Sequence, residues 1–345
     1  MSGESFTESF TAGRDIIVVG ASAGGVQALC HLVEGLPEDL PASVFVVLHV
    51  APHGHSALPA ILSRSGCLPA SHPGDGEPIE PGRIYVAPPD RHLAIDGGRV
   101  HLSRNASENG HRPAVDVLFR TAARAFGSRV VGVVLTGNLD DGTEGLAMIK
   151  RCGGVAVVQD PGEADYPGMP ESAISNVAVD HVLPVAEIPA LLDRLIREPR
   201  PAEPADCGHD FEEEPDSMGV SSEQDNGNKE LAGKPSGLTC PECGGALFQK
   251  KNGQPVHFRC RTGHAYSPES LLAKQSDTFQ AALWAALRSL EENSALARRM
   301  EKRARDLGNA TSSRRYEQRA READAHATLL RSMLQQGGAE MTAKA

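Results

Sequence analysis

Asp15-Ile16-Ile17-Val18-Val19-Gly20-Ala21-Ser22-Ala23-Gly24-Gly25 is the stretch whose reading decides the fold. Four consecutive apolar β-branched residues, bounded at once by Gly20 and small residues, predict a short buried strand. It ends in a tight turn and hands over to a helix that starts near Gly25. Ser22 sits at the apex of that turn. The pattern Gly-x-Ser-x-Gly suits a nucleophile for a steric reason: flanking residues without bulk let the backbone bend sharply and leave the hydroxyl exposed, beside helix N-terminal amides able to stabilise an oxyanion. The same turn also suits a phosphate cradle, since Gly20-x-Ser22-x-x-Gly25 is one substitution from the dinucleotide fingerprint. A plain structural turn is the third reading, and on this segment alone all three stand.

Outward from that strand, the chain from Asp15 to about Arg197 alternates β-branched runs with amphipathic stretches. Strands are expected at 15–20, 44–49, 83–87, 130–135, 155–158 and 181–183, and helices at 25–34, 56–64, 115–126, 143–151, after Pro170 and at 187–197. This alternation is the signature of βα units, so the fold class is α/β: a doubly wound, mainly parallel sheet with flanking helices. A hairpin interrupts it, with Leu93–Ile95 and Val100–Leu102 joined through Asp96-Gly97-Gly98-Arg99. Residues 1–14 read as a disordered tail.

Residues 198–238 change character. Between 200 and 230 there are ten acidic residues against two basic ones, the composition of a self-repelling disordered linker. A compact module follows at 239–266. Cys240-Pro-Glu-Cys243 and Cys260-Arg-Thr-Gly-His264 are two ligand pairs separated by sixteen residues, the spacing of a zinc ribbon with a Cys3His site. Four protein ligands leave no open position, so the expected zinc is structural, with no cofactor for catalysis. His257 is off the pattern and reads as a surface histidine. From 267 to 336 the chain is rich in Ala, Leu, Glu and Arg. Mostly apolar positions recur at heptad spacing, 272, 276, 279, 283, 286, 290, 297, 300, 304 and 307, with Ser276 the polar exception, then 316, 320, 323, 327, 330 and 334, with a break at Gly308-Asn309-Ala310-Thr311. An α-helical hairpin is expected, its alanine-rich seam serving as core or as a dimer contact, followed by a tail at 337–345.

The totals narrow the function classes. With 345 residues and 40% hydrophobic content the chain is long enough for an α/β domain and smaller modules. A net charge of −11 argues against nucleic acid or an anionic membrane surface as partner. No apolar run has membrane-spanning length, and the N-terminus lacks a signal peptide's basic and apolar regions, which points to the cytoplasm without membrane insertion. Of the seven cysteines, Cys30, Cys67, Cys152 and Cys207 read as reduced thiols.

In open α/β sheets ligands bind outside the carboxyl ends of the strands. Ser22 follows the first strand, His49 ends the second, and Asp140-Asp141 follows the apolar strand 130–135. A serine, a histidine and an aspartate therefore converge on one rim, the composition of a nucleophile, its base and the base's orienter. His49 also stands where a dinucleotide-binding domain has an acidic residue.

These residues carry a resemblance. Val18–Gly25, Leu48–Pro52, Pro81–Pro88, Arg112–Phe119, Leu135–Gly142 and Gly168–Pro170 resemble, in the same order and over roughly 15–197, the catalytic domain of the CheB-type chemotaxis protein-glutamate methylesterases. The resemblance implies hydrolysis of glutamate methyl esters on chemoreceptors, with deamidation of receptor glutamines as a related activity. It places the triad on Ser22, His49 and Asp141, choosing Asp141 over Asp140, and the oxyanion or substrate surroundings on Ala23, Asn138 and Met169. Three positions depart from the family pattern. Ala23 stands where Thr or Ser is frequent, Asn138 where a Met contributes to the oxyanion pocket, and Leu139 where Gly is usual. Family members typically carry an N-terminal receiver domain, whereas fourteen residues precede the first strand here, so an esterase without its own receiver is expected. Its partners are then a methylated chemoreceptor-type substrate and a regulatory protein or second copy held by the C-terminal helices. Two rival readings remain: a small-molecule esterase, and a non-enzymatic adaptor using the ribbon and helices.

Overall fold

A computed structural model describes residues 13–52, 54, 56–198, 233–249 and 257–342, side chains of the last helix being described to residue 335. Residues 1–12 of the expected N-terminal tail, residues 343–345, most of the acidic linker and Cys207 lie outside these residues, whereas 337–342, read as tail, continue the last helix as far as Thr342. The described chain divides into a larger unit ending at Leu271 and a second unit beginning at Leu272.

The larger unit opens with β1 (Ile16–Ala21), α1 (Gly25–Glu34), β2 (Ser43–Leu48) and α2 (Leu58–Ser65). β3 (Ala70–Ser71), β4 (Ile84–Val86), β5 (His92–Asp96) and β6 (Arg99–Ser103) follow. Then come α3 (Val115–Phe126), β7 (Val130–Val134), α4 (Thr143–Arg151), β8 (Val155–Gln159), α5 (Gly168–Asn176), β9 (His181–Leu183) and α6 (Ile188–Arg197). Seven strands form one sheet in the order β3-β4-β2-β1-β7-β8-β9, and every pairing within it is parallel. The expected doubly wound sheet is present, and only the two-residue edge strand β3 escaped prediction. The β5–β6 hairpin stands apart as its own antiparallel pair.

Burial on both faces explains the unbroken apolar runs of the strands. On β1, Ile17, Val19 and Ala21 join one core with Leu29, Leu32, Leu62, Leu192 and Leu195 of α1, α2 and α6. Ile16 and Val18 point the opposite way, into a core with Leu118 and Phe119 of α3, Leu146 of α4 and Met169 of α5. The winding reverses between β1 and β7, so the chain ends beyond β1, β2 and β7 meet at the switch point where such sheets bind ligands. Gly20 is needed there, because a Cβ on it would come within 2.3 Å of Val115 Cγ1.

Cys152, fully buried at the end of α4, is disulfide-bonded, which corrects its reading as a reduced thiol. Sequence spacing alone does not reveal disulfide pairing. Cys30 and Cys67 are free, as expected.

After the linker, β10 (Lys234–Thr239), β11 (Ala246–Gln249), β12 (Phe258–Cys260) and β13 (Ala265–Tyr266) form a four-stranded antiparallel sheet. The ribbon thus begins inside the stretch read as linker, because β10 pairs with β11 despite carrying Lys234, Pro235, Ser236 and Gly237. α7 (Pro268–Asp306) follows and α8 (Ala310–Thr342) ends the described chain. In the second unit the hairpin seam contains Leu287, Ser294, Ala297 and Ala304 of α7 and Ala320, Ala323 and Ala327 of α8. Arg298–Asp324 and Glu291–Arg331 ion pairs link the two helices. The α8 heptad matches expectation. Early in α7 it does not: Leu272 and Phe279 are 70% and 58% exposed, and Leu287 is buried where 286 was expected. A 3.6-residue helix drifts against a strict heptad, which shifts the seam along so long a helix.

Candidate active site

The turn that begins at Ser22 is held by the loop after β7. The Ser22 amide donates to the Thr136 carbonyl at 3.0 Å, and the Thr136 hydroxyl donates to the Ala23 carbonyl at 3.1 Å. Thr136 is itself fixed through its amide, which donates to buried Gln159 at 2.8 Å. Gly24, with φ 72°, occupies the left-handed region that lets the chain turn into α1.

Around this turn the three expected residues come together. His49 Nδ1 lies 3.1 Å from Ser22 Oγ, and His49 Nε2 lies 2.7 Å from Asp141 Oδ2. An ionised Asp141 can only accept, so Nε2 carries the hydrogen and Nδ1 presents its lone pair to the serine hydroxyl. The His49 and Asp141 side chains are 6% and 2% exposed, dry enough for these contacts to resist competition from water. The His111 ring stacks on His49, with centroids 3.7 Å apart and planes 6° from parallel.

Asp141 is the more elaborately held of the two adjacent aspartates. Its Oδ2 also accepts from the Val115 amide at 2.7 Å, and its Oδ1 accepts from the Asp116 amide at 3.3 Å and from Asn109 Nδ2 at 3.1 Å. The first two are N-terminal amides of α3, which otherwise lack helical partners. Burial works to raise the Asp141 pKa, but the bond and charge of His49, the charge of His111 and the Val115 amide outweigh it and hold the carboxyl well below its ordinary range. The opposite holds for buried Asp116. Burial, then the nearby Asp141 and Glu144 charges, push it well above its ordinary value. Asp116 accepts from Asn109 Nδ2 at 3.0 Å and from the Gly145 amide at 2.7 Å.

The residues expected around the oxyanion or substrate lie on three different segments. Ala23 follows Ser22 at the mouth of α1, and Asn138 is exposed on the loop after β7. Met169 is fully buried. Its amide donates to the Gly137 carbonyl at 2.8 Å, and its Sδ packs where a Gly137 Cβ would be. Leu139 has φ 64° and keeps the left-handed conformation of a glycine. Asn109, His111 and Asp116 went unnoticed as site residues. An Asn-Gly pair at 109–110 reads locally as a turn, and nothing in the local sequence shows its amide reaching two carboxylates.

A second cluster lies in the ribbon. The candidate ligand atoms of Cys240, Cys243, Cys260 and His264 all lie within 4.8 Å of one another. His264 Nδ1 is 3.6 Å from Cys240 Sγ and 3.5 Å from Cys260 Sγ, and the Cys243 and Cys260 sulfurs are 3.6 Å apart. A tetrahedron with ~2.3 Å metal–sulfur arms has edges of about 3.8 Å, so the four residues fit a metal ion. The Thr262 hydroxyl and the Gly245 amide push the Cys243 thiol down to about 6, towards the ligating thiolate. Glu242 stands 3.4 Å behind His264 Nε2, the usual carboxylate support of a ligating imidazole. His257 corrects its reading as a surface residue. It is buried and its Nδ1 lies 3.1 Å from Glu144 of α4.

A parallel doubly wound sheet with serine, histidine and carboxylate in hydrogen-bond sequence at its switch point has the layout of an α/β hydrolytic enzyme. A family model described as CheB methylesterase matches residues 17–192, and the chain belongs to that family. The protein-glutamate methylesterase/protein-glutamine glutaminase 2 of Anaeromyxobacter dehalogenans is 41% identical over 183 residues, covering 53% of this chain and 54% of that one. A putative protein-glutamate methylesterase/protein-glutamine glutaminase of Leptospira interrogans is 37% identical, covering 52% of this chain and 94% of its own. Among solved structures, the CheB methylesterase catalytic domain of Thermotoga maritima matches with a TM-score of 0.51 and 35% identity, over 54% of this chain and all of that one. The chain spans about half the length of the first of these relatives. Among the described residues, no helix is long and apolar enough to cross a membrane.

Proposed function

We propose that the chain is a serine hydrolase that demethylates glutamate methyl esters, and deamidates selected glutamines, on chemoreceptor-type proteins in the cytoplasm. The observation that carries this is the line Ser22 Oγ, His49, Asp141 at 3.1 and 2.7 Å within a body of CheB sequence. Ser22 Oγ attacks the ester carbonyl while His49 Nδ1 takes its proton, and Asp141 stabilises the imidazolium through Nε2–H. The developing oxyanion falls beside the Ala23 amide and the exposed Asn138, whose side-chain amide is a second donor. The protonated His49 returns its proton to the leaving oxygen, methanol departs, and a glutamyl ester of Ser22 remains. Water activated by His49 then attacks that ester and releases the glutamate carboxylate and the free serine. With a glutamine substrate the same sequence releases ammonia.

The ribbon cluster binds structural zinc in this reading, with Cys240, Cys243, Cys260 and His264 as ligands. Large apolar side chains left exposed on α7 and α8, Phe279, Trp284, Leu296 and Leu329 among them, support the helical hairpin as a surface for a regulatory partner or a second copy. The test of substrate class is methanol release from a methylated receptor fragment beside hydrolysis of a small aryl ester. Receptor methanol released at the higher kcat/KM supports the assignment, whereas turnover of the small ester alone replaces it with a small-molecule esterase.

A further inference from the structure

The ribbon and the catalytic carboxylate share one side chain. Asn109 is 2% exposed, and its amide is used from both ends. Nδ2 donates to Asp141 at 3.1 Å and to Asp116 at 3.0 Å, while Oδ1 accepts from the Ser267 amide at 3.0 Å. Ser267 lies three residues beyond the ligand His264. The Asn109 backbone is joined to the same strand, its amide donating to the Ala265 carbonyl at 2.8 Å, and the Ala265 amide donates to the Ser107 carbonyl at 3.2 Å. Two more contacts reinforce the join. Glu242, which backs His264, accepts from the Ser107 hydroxyl at 2.6 Å, and the Ser270 hydroxyl donates to Asp140 at 2.6 Å.

A primary amide can face two carboxylates in only one sense. Its NH2 group must point at them, because the ionised Asp141 can only accept and a carbonyl oxygen there would set one acceptor against another. The Ser267 N–H selects that sense by requiring the oxygen on its own side. We infer that Asn109 is a positioning residue of the triad and that the metal-loaded ribbon, through the Ser267 amide, fixes the orientation in which Asn109 holds Asp141 against His49. The ribbon is in this respect part of the catalytic apparatus, not an appendage to it. Loss of the ligand cage frees the Ala265–Ser267 segment, releases the Asn109 amide, and loosens Asp141 on its Oδ1 side.

The inference rests on the triad and zinc assignments above, so its test includes a readout that does not need turnover. The full chain is examined zinc-loaded, stripped by a chelator, and reloaded, alongside the loaded Asn109→Ala variant, with metal analysis of each. Two quantities are read: the low-field proton resonance of His49 Nε2–H, and kcat and KM for methanol release. The expected result is one zinc per loaded chain, a resonance that is sharp when loaded, lost on stripping and restored on reloading, and kcat down about 100-fold with KM within twofold. Asn109→Ala keeps its zinc yet loses the resonance, and stripping lowers its kcat by less than threefold. A resonance and kcat that survive stripping, or an Asn109→Ala enzyme as active and as zinc-sensitive as the parent, overturn the inference. Absence of methanol release from the loaded chain defeats the esterase assignment instead, and the resonance still decides the positioning role.

Discussion

Two buried carboxylates, Asp141 and Glu108, illustrate how little of the site's electrostatics depends on residue type. Glu108 forms a buried pair with Arg120 at 2.8 Å, and although burial alone raises its pKa, the Arg120 charge and hydrogen bond bring it down to about 2 from an ordinary 4.5. A depressed carboxyl stabilises the fold above its ordinary pKa and loses that contribution as pH falls through the folded value. Stability is therefore expected to decline from about pH 4.5 down to about 2. Glu108→Gln leaves the Arg120 charge buried without its partner and is predicted to lower unfolding stability at neutral pH by about 3 kcal/mol, and to flatten that acid decline. Chemical denaturation at several pH values checks both, and an unchanged acid limb contradicts the pairing. None of this was legible in the sequence, where Glu108 is one acidic residue in a polar loop. Leu139 was partly legible: the resemblance marked it as a position where glycine is usual, and it holds φ 64°, a conformation costing a non-glycine residue about 1–2 kcal/mol.

At the scale of elements, the strands and helices of the catalytic body were readable because each is a complete local signal. An apolar β-branched run is a strand signal whatever surrounds it, as β1 and β7 show. Contacts between elements were not readable. The N-terminus of α3 reaches Asp141 because Gly20 and Gly142 leave room for Val115, a Cβ on Gly142 meeting Val115 Cγ1 at 2.8 Å. Gly20→Ala drives the Val115 side chain off β1 and carries the α3 amides with it. The variant is expected to be about 2 kcal/mol less stable and to lose tenfold or more in kcat, measured by thermal unfolding and methanol release. Parental values in both contradict this account of how α3 is placed. β10 and the early α7 seam escaped for related reasons. One is a strand whose Pro235 and Gly237 read as linker, the other a heptad that drifts.

Across the whole molecule, the sequence was most informative where chemistry repeats a spacing, as in the ribbon ligands, or where strand ends fix a place, as with Ser22, His49 and Asp141. Its silence concerned what the ribbon is for. The acidic linker suggested an independent module, yet its strand β13 and the start of α7 bond to the 107–109 loop and to Asp140. The CheB family match covers residues 17–192, and the ribbon lies outside that matched body. The central claim is that Ser22 is the nucleophile of that body. Methanol release from a methylated receptor fragment by Ser22→Ala measures it most directly. A loss of about 10⁴-fold or more in kcat, with fold and zinc content retained, is the predicted result, and release within tenfold of the parent contradicts the account.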